Sequence, residues 1–266
     1  MTEVERIQII SKSCRRNIVS MVHVAGYGHI GCSLSCVDIL SVLFFHTMNY
    51  NLSDKWRDRF VLSKGHASEA LYSVLLEKGF VSQDEIERYT DDGALLTAHP
   101  TNKIPGVDCC TGALGHGLSI GSGMALGSKK AGRPFKTFVL CGDGELDEGS
   151  IWEVAISAPF YKLGNLVLVV DNNGLQLNDT VSNTMEIQPI GKKFEAFGWD
   201  VLDVDGHDVD SLIKVFDGLD YEGEIPHVVV AHTTKGKGVS FMENVVCWHH
   251  KVPSDIELEL ALEELK

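Results

Sequence analysis

Asp143 stands between two glycines, Gly142 and Gly144, directly after the β-branched and aromatic run TFVLC, and Asn173 closes a second such run, NLVLVVDNN. Glycines on either side of an aspartate permit a tight turn and let a ligand approach the backbone. The carboxylate between them is suited to a divalent cation, which in turn would hold a phosphate. The two residues are thirty apart (173 minus 143), each at the carboxyl end of an expected strand. On neighbouring strands they would place a carboxylate, an amide oxygen and a nearby backbone carbonyl around one point. Such an all-oxygen set fits magnesium or calcium, with diphosphate oxygens completing the shell. The helix expected to begin near Ser150 would add free N–H groups for an anion. An EF-hand loop is excluded. Asp143, Glu145 and Asp147 have its first spacings, but Glu148 and Val154 stand where that loop needs glycine and glutamate. A solvated acidic turn remains the competing reading for the cluster Asp143, Glu145, Asp147 and Glu148.

The elements that must position these residues follow from hydrophobic spacing. EVERIQIISKSCRRNIVSMVHVA, SCVDILSVLFF and ASEALYSVLLEKG carry apolar residues at helical intervals, with Gly79 as a C-terminal stop. From Lys136 onward the apolar runs shorten to strand length in TFVLC, LVLVV, WDVLDV and HVVVA, with helix-length segments between them. Runs apolar throughout imply strands covered on both faces, hence an α/β fold with a doubly wound, mostly parallel sheet flanked by helices. We expect one domain over residues 1–266, with a helical part at 1–135, an α/β part at 136–250 and a terminal helix in DIELELALEELK. Ligands of such sheets bind at the carboxyl ends of the strands.

Composition narrows the function classes. In 266 residues, 23 Lys and Arg face 37 Asp and Glu, a formal net charge of -14 that disfavours nucleic acid and anionic membrane as partners. No apolar run approaches the roughly 20 residues that span a bilayer. The N-terminus MTEVERIQIISKSCRR carries acids where a signal peptide is basic. Seven cysteines, odd in number and without a CxxC pair, fit reduced thiols, so the expected location is the cytoplasm. The sequon-like NDT at Asn178 then has no meaning.

Eight motifs in order, GHIG at Gly28, LSKGHA at Leu62, HP at His99, TGALGHG at Thr111, GDGELDEG at Gly142, DNNGL at Asp171, TKGKG at Thr234 and WHH at Trp248, resemble those of transketolases. The similarity covers essentially the whole chain and is to the N-terminal, diphosphate-binding part of that family. The GDG and NN elements alone would imply only thiamine diphosphate; the histidines narrow the resemblance to the transketolase branch.

The resemblance implies roles residue by residue. Asp143, the Asn173 side chain and the Leu175 carbonyl match metal ligands. Gly144 and the turn Gly112, Ala113, Leu114 match cofactor contacts, and Lys235 and His249 match contacts on the diphosphate side. His66 matches a residue close to both cofactor and substrate, and His29 and His99 match histidines that face sugar hydroxyls, where imidazole can donate or accept protons. Glu148 and Glu153 match glutamates of an inter-subunit proton network, although the helix dipole alone would favour acids there. Glu145 and Asp147 are read as solvated or helix-start charges, and His23, His46, His207, His227 and His232 as packing histidines.

Departures from the family pattern fall at Ile30, Cys32, His116 and His250, the last being an extra imidazole near the expected mouth of the site. The chain also stops at Lys266, whereas transketolases continue into an aminopyrimidine-binding domain, which carries a catalytic glutamate, and a third C-terminal domain. The implied function is therefore the N-terminal subunit of a split transketolase, moving a two-carbon ketol unit from a ketose to an aldose with thiamine diphosphate and Mg2+ or Ca2+. The expected partner is a C-terminal subunit in a two plus two assembly. The alternatives are a component of a deoxyxylulose phosphate synthase-like decarboxylase and a non-catalytic binding subunit. The sugar itself stays open among pentose phosphates, a branched ketose phosphate and a sulfonated sugar.

Overall fold

The computed structural model describes residues 1–133, 135–177 and 179–266; the sequon at Asn178 lies outside the described residues. The chain opens with α1 (Glu3–Ala25), whose start is fixed by a capping box: the Thr2 hydroxyl accepts the Glu5 N–H and the Glu5 carboxylate accepts the Thr2 N–H. Gly26, at φ 62°, ends it. Two short helices follow, α2 (Ile30–Ser35) and α3 (Val37–Val42), the latter continuing into a π-helical turn at Leu43–Thr47. Next come β1 (Arg59–Leu62), α4 (Ser68–Glu77), α5 (Gln83–Glu87) and α6 (His116–Lys130). The second half runs β2 (Thr137–Gly142), α7 (Gly149–Phe160), β3 (Leu166–Asn172), a small hairpin of β4 (Leu175–Gln176) and β5 (Asp179–Thr180), α8 (Val181–Thr184), α9 (Ile190–Phe197), β6 (Asp200–Asp205), α10 (Val209–Asp217), β7 (His227–His232) and α11 (Asp255–Glu264).

Five strands form one sheet in the order β1-β2-β3-β7-β6, every neighbouring pair parallel. Alternate residues of each strand point to opposite faces, and each face has its own core. Phe60, Leu62, Phe138, Leu140, Val167, Val169 and Val229 pack with α1, α3, α4 and α10, whereas Val61, Val139, Cys141, Leu168, Val170 and Val228 pack with α6, α7 and α9. Strands β2, β3 and β7 are accordingly buried almost throughout, as their continuous apolar runs predict; β6, expected from WDVLDV to be covered on both faces as well, is instead largely open because it lies at the edge and alternates with aspartates.

The helical part expected over residues 1–135 also contains one strand of the main sheet. Residues 59–62 form β1 and pair with β2 in register from Arg59 opposite Thr137 to Leu62 opposite Leu140. Four residues between charged neighbours give too short a period to read as a strand; pairing with a buried neighbour makes it one. Among the described residues no helix is long and apolar enough to cross a membrane.

Candidate functional site

Because the sheet is parallel, the carboxyl ends of β1, β2, β3 and β7 lie side by side. The segments leaving them carry Lys64 and His66, Asp143 and Gly144, Asn173 and Leu175, and Lys235. One cleft is lined by these residues together with Cys32, Leu114 and His249. The topology thus unites residues spread over most of the chain.

Asp143 is 2 % exposed. Its Oδ1 accepts the Gly144 N–H at 2.8 Å and its Oδ2 the Gly174 N–H at 2.6 Å, so the loops after β2 and β3 are clasped together. No cationic side chain bonds to this carboxylate among the described residues, and burial, reinforced by the charge of Asp171, raises its pKa to about 6. A buried carboxylate in that position gains from a cation. The Asn173 amide oxygen beside it accepts the Leu175 N–H at 3.1 Å, and the Leu175 carbonyl receives the Lys235 ammonium at 3.3 Å. The donor set is all oxygen, so the residues present fit a hard divalent ion. Lys235, buried, also meets His249 Nδ1 at 3.1 Å.

Glycines shape the floor. A Cβ on Gly112, at φ 137°, would stand 2.9 Å from the His99 ring, and one on Gly144 would meet the Gln176 side chain at 2.7 Å. Above them, His29, His66, His99, His249 and His250 form a cluster of imidazoles with centroid separations from 4.6 to 6.4 Å around His29. Burial, followed by the positive neighbours, lowers the pKa of His66 well below its usual value and brings His249 down to about 4.

The cleft therefore brings together the expected His66, Leu114, Asp143, Gly144, Asn173, Leu175, Lys235 and His249. His29 and His99 join it through their ring contacts, and Gly112 through His99. Ala113, Glu148 and Glu153 are exposed and do not line it; the side chain of Glu148 packs where a Cβ on Gly115 would be. Two expectations are overturned. Glu145 is not a solvated charge: it is 3 % exposed, and its carboxylate accepts the Gly115 N–H at 2.9 Å, the Gly142 N–H at 3.1 Å and the Ser63 hydroxyl. Asp147 is half-buried and accepts the Gln176 amide at 3.0 Å, and both acids stand in the first turn of the 3-10 helix Gly144–Asp147, in line with the helix-start alternative. Nor does the first turn of α7 face the cleft. A 3-10 turn at Gly144–Asp147 intervenes, and Ser150 donates instead to the Gly115 carbonyl.

Sequence reasoning missed the charges beneath the site. Lys64, 1 % exposed, pairs with the wholly buried Asp171 and donates to the Cys32 carbonyl at 2.9 Å; Asp171 also accepts the Ser35 hydroxyl at 2.6 Å and the Asn173 amide at 3.3 Å. Glu69, wholly buried, accepts the His29 N–H at 2.9 Å, the Ser33 hydroxyl at 2.6 Å and the Tyr89 hydroxyl at 2.9 Å. Their place inside the quoted motifs LSKGHA and DNNGL was the available signal for Lys64 and Asp171. The histidines read as packing residues are held by local partners, His23 by Pro253, His46 by Asp217, His207 by Asp38, His227 by Asp200 and His232 by Asp203. Of the departures, Ile30 is core, Cys32 is buried with its thiol on the His29 carbonyl, His116 is exposed, and His250 covers His29.

Residues 7–257 match the family model described as "Transketolase, thiamine diphosphate binding domain". The chain is 44% identical over 266 residues to an apulose-4-phosphate transketolase subunit of Phocaeicola vulgatus, covering 99% of this chain and 95% of that protein. It is 44% identical over 261 residues to the subunit of the same name from Actinobacillus succinogenes, covering 96% and 94%. The solved transketolase of Campylobacter jejuni superposes with a TM-score of 0.93 at 30% identity; the match covers 99% of this chain and 43% of that one, so the chain spans less than half of the transketolase it overlays.

Proposed function

The chain belongs to the transketolase family, as its thiamine diphosphate binding domain, and from that premise we propose that it is the N-terminal subunit of a split transketolase that works with a separate C-terminal subunit. The observation that carries the reading is the buried Asp143 carboxylate, clasped to the loop of Asn173 at the carboxyl ends of β2 and β3 and lacking a cationic partner among the described residues. Asp143, the Asn173 amide oxygen and the Leu175 carbonyl would hold Mg2+ or Ca2+. Lys235 would stand against the diphosphate, its ammonium offsetting the charge, and His249 beside it would offer a neutral ring N–H. Gly144, Gly112 and Leu114 would supply backbone for a cofactor to rest on, with Ala113 outside the cleft.

Thiamine diphosphate, when bound, supplies the means to break a ketose carbon–carbon bond and carry a two-carbon unit. The protein's part is position, proton handling and exclusion of water. His66 would sit between cofactor and sugar, and His29 and His99 would hold sugar hydroxyls; His29 and His66, kept neutral by burial, can both donate and accept there. Glu148, exposed at the start of α7, is free to bond across a subunit boundary, and Glu153 lies one turn further along the same helix. A two plus two assembly follows if the active site forms at a twofold interface. The names of two close relatives favour a branched ketose phosphate, apulose 4-phosphate, as donor. The thiols, all free, suit a cytoplasmic location. The test is calorimetric titration of thiamine diphosphate with Mg2+ into the complex with its C-terminal subunit: saturable binding abolished by Asp143→Ala is expected, and binding unaffected by that change would overturn the assignment.

A further inference from the structure

On the reading just given, we propose that His250 is a positioning residue that roofs His29 and holds it as a neutral hydrogen-bonding group facing the sugar. His29 is fixed from below, where its backbone N–H donates to the buried Glu69 carboxylate at 2.9 Å. Its ring meets the His250 ring edge to face, with centroids 4.6 Å apart and planes at 85°, and the Tyr27 ring at 5.9 Å and 84°. His250 also leans on Tyr27 at 4.9 Å and 81°, so the three rings form one stack whose outermost member is exposed. The stack is anchored. A Cβ on Gly31 would come within 2.7 Å of the Trp248 carbonyl, which shows α2 and the segment bearing His249 and His250 to be in close contact.

Among the described residues, His29 Nδ1 is buried and has no hydrogen-bond partner. A group in that condition requires a partner from elsewhere, and a hydroxyl, which both donates and accepts, answers to a neutral imidazole of either tautomer. The groups facing His29 are His249 and His250 from the C-terminal segment, His66 from the turn after β1, His99, Lys235 from the loop after β7, the Tyr27 ring, and Glu69 at its backbone. Except for Tyr27 and Glu69, all are basic, and all the rings exclude water. Burial is the largest cause, and His250 the next, of a His29 pKa brought down to about 3. His250 therefore acts twice, as cover and as a positive neighbour whenever it is protonated.

The experiment is a histidine-labelled NMR titration of the full chain as wild type, His250→Gly and His250→Phe. His29 is expected to stay neutral between about pH 5 and 8 in the wild type. Its titration midpoint should move up by about one pH unit or more in the glycine variant, and by less in the phenylalanine variant, which keeps the cover without the charge. With the C-terminal subunit present, the acid limb of kcat/KM in the glycine variant should move up by the same amount. A His29 titration unmoved by His250→Gly, or moved equally by both variants, overturns the covering role. Neither NMR arm needs substrate or partner, so a shift in His29 without ketol transfer would refute the transketolase reading and leave the His29–His250 pair standing.

Discussion

The Asp143 carboxylate accepts the Gly174 N–H at 2.6 Å, joining the turn after β2 to the turn after β3. The bond joins the loops that carry the proposed oxygen donors Asp143 and Asn173, so the proposed cation site would rest on strand adjacency rather than on side-chain reach. The same bond uses only one lone pair of Oδ2 and leaves another for a metal.

Removing that carboxylate should therefore cost affinity and spare the fold. Asp143→Ala is expected to weaken thiamine diphosphate binding in the assembled enzyme by ~100-fold or more, at or beyond the upper end of what outer-shell partners of a metal alone cost. Calorimetry on the variant complex, with circular dichroism to verify the fold, checks it.

His29 and His99 should separate from the cofactor in the opposite way. Alanine at either position is expected to lower kcat/KM by about 2 to 4 kcal/mol of transition-state stabilisation while thiamine diphosphate affinity barely changes. Steady-state kinetics at saturating cofactor, set beside the same calorimetric titration, distinguish the two; lost cofactor affinity with normal turnover would contradict the placement.

Stability rests on a pair outside the cleft. Arg15 and Asp38, 7 % and 5 % exposed, bond through two contacts, and His207 Nδ1 meets the same Asp38 carboxylate at 2.8 Å. Arg15 and His207 hold the Asp38 pKa well below the usual carboxylate range, against the burial that would raise it. Because the folded pKa is depressed, the stabilisation is fully present above the ordinary aspartate pKa and is lost as pH falls below it. Asp38→Asn is expected to destabilise the chain by about 3 to 5 kcal/mol at neutral pH, because Arg15 stays buried without its counter-charge. Urea unfolding at pH 7 and again below about pH 4 should show the difference between variant and wild type shrinking in acid.

The chain by itself should be inactive in ketol transfer with excess thiamine diphosphate and magnesium, and activity should appear once a C-terminal transketolase subunit is added. The expected assembly has a native mass of two copies of each chain. Robust turnover by the isolated chain would refute the split-subunit reading, and a one plus one mass would refute the twofold arrangement.

The sequence by itself determined α1, α3, α4 and α11 and most of the sheet. The apolar spacing of residues 3–25 reads as a helix, and TFVLC, LVLVV and HVVVA are too evenly apolar to face water on either side. It also pointed to the oxygen donors proposed for a cation, a glycine-flanked aspartate and an asparagine, whose strands the structure places side by side. Tertiary structure decided which charges are buried. A single sequence reads Glu145, Lys64, Asp171 and Glu69 as solvent-facing, since such groups leave water only when partners meet them. Those partners are Ser63 for Glu145, Lys64 for Asp171 and His29 for Glu69, all distant in the chain. Tertiary structure alone also set His250 upon His29 and turned residues 59–62 into a strand, because both depend on a surface supplied by another part of the chain.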